Sequence, residues 1–157
     1  MAEPNRYTLA DLPGLVGQPL GQSGWRRVVQ RDIDLFAEAT GDHAALHVDP
    51  EAARRGPYGR TIAHGFLTLS LVAPLSAEAF AITGAGALVN YGVNRARFPA
   101  PLPEGTAVQL STGLAELAQR PHGQLLTLDF EIRTEGGAVV AVGQTVLLAM
   151  AEAGTDG

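Results

Sequence analysis

Asp42 and His47 stand five residues apart in the stretch Ala39–Leu71, ATGDHAALHVDPEAARRGPYGRTIAHGFLTLSL. A carboxylate and an imidazole that both reach one water form a general acid–base pair. That pairing suits adding water to an activated C=C bond, or removing it, because one proton leaves as another arrives. Fully extended, the intervening chain would span about 17 Å, so the loop has to fold back to bring both groups to one small ligand. Gly41 and the small Ala44 and Ala45 permit this. Gly65 offers a complementary part, since it opens a long apolar segment. At a helix N-terminus its N–H has no partner within the helix, and the helix dipole favours negative charge there. A thioester carbonyl laid against it would have its developing enolate oxygen stabilised by about 3 kcal/mol, the typical worth of one such donor.

Each of these residues also has a plainer reading. An Asp after a helix-terminal Gly is commonly a turn residue. His64, beside a buried helix, can be a hydrogen-bonded structural histidine or a substrate-side group. Ser70 can bond back to its own helix or lie near the site. Asp49 before Pro50 suits a helix N-cap. His43, His47, His64 and Asp49 could be assembled around an ion on paper, but they fit no recognised helical metal motif, and no metal is expected. Arg54, Arg55 and Arg60 are expected to be solvated, and are the nearest cations for a phosphate-bearing substrate.

The elements that must position these groups can be read in chain order. Residues 1–24, rich in Gly and Pro, read as an irregular lead-in, and Trp25–Gln30 as a short strand. An amphipathic helix is expected over 32–40, with Ile33, Phe36 and Ala37 on one face and Gly41 as the left-handed residue after its end. A second short helix is expected over 50–55. From Gly65 to about Ile82 the chain is apolar on nearly every side, which predicts a helix buried all round and kinked where Pro74 deprives the Ser70 carbonyl of its donor. From Ala87 onward the period becomes two, predicting strands over 87–98, 106–118, 124–134 and 138–149. In the third of these, Leu126, Leu128, Phe130 and Ile132 alternate with polar residues. Pro121-His122-Gly123 and Gly136-Gly137 should close hairpins. One helix followed by a twisted antiparallel sheet suggests an α+β roll.

At 157 residues the chain is expected to form a single domain, 1–157, with a disordered tail over 150–157. The net charge of −5 and the lack of any basic run argue against nucleic acid as a partner. The absence of cysteine removes disulfides, thiolate metal sites and a Cys nucleophile. The N-terminal residues lack a signal-peptide pattern, and Ser70, Pro74, Ser76 and Glu78 interrupt the most apolar segment, so no membrane partner is expected and the expected compartment is the cytoplasm.

The run ATGDxxxxHxDP followed by GxxIAHGFLTLSL resembles the MaoC-like (R)-specific enoyl-CoA hydratase (hydratase 2) family. Asp42-His43 with His47-Val48-Asp49-Pro50, Asn90-Tyr91-Gly92 and Arg97-Phe98-Pro99-Ala100-Pro101 are similar to its nodulation protein N-like branch. The resemblance implies a hot-dog fold, an antiparallel sheet wrapped around a long central helix, and a homodimer with each acyl tunnel near the interface. It implies Asp42 and His47 as the catalytic dyad, with Gly65, and beside it His64 and Ser70, on the oxyanion and substrate side. The implied reaction is reversible syn hydration of a trans-2-enoyl thioester to the (R)-3-hydroxyacyl form, carried on CoA or acyl carrier protein, without a cofactor. Two positions depart from the family pattern. Ala44-Ala45 stand where Asn-Pro is usual, and Ala73 where many hydratases carry a serine. A hot-dog thioesterase and an acyl-thioester binding module without turnover are the competing readings.

Overall fold

The structure, a computed structural model, describes residues 3–151. The lead-in is more ordered than its composition suggests: β1 (Asn5–Thr8), the single turn α1 (Leu12–Leu15) and β2 (Pro19–Gln22) all fall within it. Long-range pairing overrides the Gly/Pro signal. Leu12 and Leu20 reach the core, and the Asn5 and Tyr7 side chains both donate to the Leu20 carbonyl, at 2.8 and 3.0 Å. The strand expected over Trp25–Gln30 shrinks to β3 (Arg26–Arg27), because Gln30 already begins α2 (Gln30–Thr40). The Asp32 carboxylate caps that helix by accepting the Val29 N–H at 3.1 Å, and Gly41 ends it at φ +80°.

Next come α3 (Ala45–Val48), a single turn absent from the sequence expectation, and α4 (Pro50–Arg55). The expected helix over 65–82 is two segments, α5 (Gly65–Ser70) and α6 (Val72–Ala79). The chain stays near-helical at Leu71 (φ −69°, ψ −17°), so the break is a tightened turn of the kind Pro74 imposes by withholding an N–H from the Ser70 carbonyl. The helix stops at Ala79 because Phe80–Thr83 forms β4, which pairs parallel with β1. It is also not buried all round. Leu67, Thr68, Leu71, Val72, Leu75, Ser76 and Ala79 form a buried stripe at helical spacing, while Phe66 is 70% exposed and Ala73, Pro74 and Ala77 are exposed too.

The remaining strands are β5 (Ala85–Arg97), β6 (Ala107–Arg120), β7 (Gly123–Thr134) and β8 (Val139–Ala151), each within a few residues of expectation. The last of these includes Met150 and Ala151, residues of the expected disordered tail; residues 152–157 of that expectation lie outside the described residues. The antiparallel order is β2-β6-β7-β8-β5, with β3 also on β6. Leu126, Leu128, Phe130 and Ile132 of β7 face the buried stripe of α5–α6, and Asp129 and Arg133 face solvent. Each fully buried Leu in this core contributes about 1.5–3 kcal/mol. Strand β5 ends the sheet and has no neighbour on its outer side among the described residues. No helix among the described residues is long and apolar enough to cross a membrane.

Candidate active site

Asp42 follows the left-handed Gly41, which turns the chain off the end of α2. Its Oδ1 accepts the Ala44 N–H at 3.3 Å, and its own N–H donates to Thr40 Oγ1 at 3.4 Å. Ala44 then caps α3, whose single turn carries His47. This is the fold-back that the spacing required. It is stitched to the neighbouring segment: the Ile62 N–H donates to the Leu46 carbonyl at 3.1 Å, and Gln30 Nε2 donates to the His47 carbonyl at 2.8 Å. Thr61 Oγ1 in turn donates to Gln30 Oε1 at 2.5 Å.

His47 is 9% exposed, and its Nδ1 lies 2.7 Å from the Ile62 carbonyl oxygen. A carbonyl can only accept, so Nδ1 carries the hydrogen and Nε2 keeps a lone pair, as a proton acceptor requires. A carboxylate oxygen of Asp42 and one ring nitrogen each of His47 and His64 all lie within 4.8 Å of one another. A water hydrogen-bonded at about 2.8 Å to two groups bridges a gap of this size.

His64 has the burial and the hydrogen bond that its structural reading requires. It is 3% exposed, and its Nε2 donates to the Asp42 main-chain carbonyl at 2.9 Å. Its ring stacks on that of His47, with centroids 3.8 Å apart and planes 25° off parallel, and Phe36 lies against it at 4.9 Å. Its Nδ1 is buried with no partner. One nitrogen of each ring is already committed to a carbonyl, which leaves at most one apiece, beside the Asp42 carboxylate, that could hold an ion.

Gly65 begins α5, as expected, but φ there is not positive. What demands glycine is the Phe98 ring, whose Cδ2 would lie 2.8 Å from an added Cβ. Ser70 is exposed one turn on, and its hydroxyl donates back to the Phe66 carbonyl at 2.8 Å. Asp49 is a cap, its Oδ1 accepting the Ala52 N–H at 3.0 Å. His43 and His122 are exposed and take no part in the cluster. Arg54 pairs with Glu51 at 2.6 Å and Arg60 with Glu104 at 3.7 Å, beside a polar cleft of about 340 Å3. Gln30, Thr61, Phe36, Phe98 and the Ile62 carbonyl all lie around the site without having been read from the sequence as site residues. The last is backbone, for which no side-chain signal exists.

A groove runs along the open side of the helix from Ser70 to Ile82. Its deeper part, about 330 Å3, is lined by Val72, Ala73, Ser76, Phe80, Leu88 and Leu147 among others. It adjoins a shallower part of about 390 Å3 beside Ser70, Asn90 and Tyr91, with Val72, Ala73, Asn90 and Thr145 common to both.

A family model described as the MaoC like domain matches residues 11–125. The 3-hydroxyacyl-thioester dehydratase Z of Mycobacterium tuberculosis is 42% identical over 132 residues, which are 83% of this chain and 87% of that protein. Nodulation protein N of Rhizobium leguminosarum bv. viciae is 43% identical over 133 residues, 83% of this chain and 82% of that one. The solved (R)-hydratase from A. caviae involved in PHA biosynthesis superposes with a TM-score of 0.69 at 25% identity, covering 82% of this chain and 94% of the other. With the sheet wrapped on α5–α6 and the acid–base cluster at the start of that helix, the chain belongs to the MaoC-like dehydratase family and has its hot-dog fold.

Proposed function

We propose that the protein is an (R)-specific enoyl-thioester hydratase and 3-hydroxyacyl-thioester dehydratase, a hydro-lyase working through Asp42 and His47. The observation that carries this is a carboxylate and an imidazole within reach of one water, with the imidazole tautomer set by the Ile62 carbonyl. The names of the similar proteins support the reaction class and the (R) configuration.

In hydration, His47 Nε2 takes a proton from the water as its oxygen bonds to C3. The C2–C3 π pair moves into the thioester, and the Gly65 N–H holds the enolate oxygen. The same nitrogen then returns the proton to C2 and the carbonyl re-forms, so one water has been added. Asp42 accepts a hydrogen bond from the water's other O–H, which stays on the oxygen as the 3-hydroxyl, and steadies the transient imidazolium. Because one group on one face both takes and gives the proton, addition is syn; the reverse path is dehydration. Acid–base help of about 10²- to 10⁴-fold and one oxyanion donor worth about 3 kcal/mol leave a large share to substrate positioning. The apolar groove along α5–α6 suits the acyl chain, with CoA or acyl carrier protein as carrier. The open edge of β5 suits a second copy of the chain, giving a homodimer.

The test mixes purified protein with crotonyl-CoA, follows the conjugated enoyl-thioester absorbance and identifies the product. Loss of absorbance with (R)-3-hydroxybutyryl-CoA formed is the expected result. Free CoA would replace this reading with a thioesterase. No reaction with short or longer enoyl-CoAs would replace it with a binding module.

A further inference from the structure

We propose that His64 is a positioning residue that sets the spacing and orientation of the Asp42/His47 pair while touching neither water nor substrate; this rests on the hydratase reading above. The two members of the pair sit on different pieces of backbone, a loop after α2 and the one-turn helix α3. The residues joining them include Ala44 and Ala45, whose side chains cannot brace one against the other. One ring does so instead. His64 holds Asp42 by its main-chain carbonyl at 2.9 Å and offers its flat face to His47 at 3.8 Å, with Phe36 at 4.9 Å limiting its own movement. The ring is rooted in the core. The Ala63 N–H donates to the Leu102 carbonyl at 2.8 Å, and the His64 carbonyl accepts both the Thr68 N–H, at 3.0 Å, and Thr68 Oγ1, at 3.2 Å.

The orphaned nitrogen says what kind of residue this is. A buried imidazole used only to satisfy its own polarity would have both nitrogens bonded. His64 has one, and it goes to Asp42; Nδ1 has no partner and no access to solvent. It therefore cannot hold the reacting water or a thioester oxygen in this arrangement. Phenylalanine could supply the stacked face, and glutamine could supply a donor toward the Asp42 carbonyl; histidine supplies both from one small rigid ring.

The experiment compares the wild type with His64→Phe, which keeps the face and loses the donor, and His64→Gln, which keeps a donor and loses the face. Turnover of crotonyl-CoA is measured alongside the imidazole N–H resonances of 15N-labelled protein. We expect two slowly exchanging imidazole protons in the wild type, from His47 Nδ1 and His64 Nε2. In His64→Phe one is lost and the other moves, kcat falls about 10- to 100-fold, and KM stays within about 3-fold. His64→Gln, which restores the donor, recovers part of kcat. A folded His64→Phe with wild-type kcat, or one whose loss lies in KM, overturns the positioning role and leaves the hydratase reading intact. If the wild type itself turns over no enoyl-CoA, the hydratase reading fails. The link is then judged by the His47 resonance alone, and an unmoved signal in either variant overturns it.

Discussion

The loops carrying Asp42 and His47 are tied down by polar contacts, through Gln30, Thr61, Ile62 and His64, whereas the surface one turn beyond Gly65 is apolar and open. There Phe66 is 70% exposed and Tyr91 66%, and the outer edge of strand β5 is unpaired among the described residues. Hydrogen bonds are directional, so a single chain can hold a proton-transfer pair at fixed spacing with a handful of them. An apolar surface has no such means of closing itself and needs something laid against it. The polar cluster of Asp42, His47 and His64 is thus held within one chain, whereas the apolar face around Phe66 and Tyr91 stays open to solvent.

That contrast can be broken in stages. Asp42→Asn and His47→Gln should each lower kcat by about 10²- to 10⁴-fold with the circular dichroism spectrum and oligomeric state unchanged; near-normal rates in either would remove the dyad from the chemistry. On the open side, sedimentation at micromolar concentration should find a dimer. Tyr91→Asp should weaken it about 100-fold in Kd, as for the loss of a central aromatic anchor. A monomeric wild type would mean the edge is covered in some other way. Gly65→Ala should cost about 10-fold in kcat/KM because its methyl group meets the Phe98 ring, an overpacking strain of about 1–3 kcal/mol. Adding Phe98→Leu should restore part of that loss, and no recovery would separate the glycine from the ring. Ser70→Ala should change turnover less than about 2-fold, since its hydroxyl is already spent on the Phe66 carbonyl; a larger loss would bring Ser70 into contact with substrate.

The parts legible in the sequence are those with a local cause. Gly41 is left-handed because the chain must leave a helix there, Asp49 caps because proline follows it, and β7 alternates because one face is wet. Distant partners hid the rest. β1 exists because β4 lies beside it, and β2 because β6 does, so a Gly- and Pro-rich stretch looked irregular by itself. Helix α3 is too short for any periodicity to register. Apolar composition around α5–α6 suggested burial on every side, but composition does not reveal which face is left for a ligand or another chain. The reason for glycine at position 65 lies 33 residues away in Phe98.

The position of β5 in the sheet also bears on how the chain is made. Its only sheet neighbour among the described residues is β8, and about 40 residues separate Arg97 from Val139, several seconds of synthesis at roughly 5–20 residues per second. For that interval a newly made β-prone segment lacks its native partner strand and is open to pairing with other chains. Its own composition guards against this: Asn90, Gly92, Asn94, Arg95 and Arg97 interrupt Leu88, Val89, Tyr91 and Val93 often enough that no run of apolar residues is long enough to seed aggregation. The polar residues scattered along β5 thus break up its apolar runs before the chain folds, while Tyr91 and Val93 stay exposed after it has.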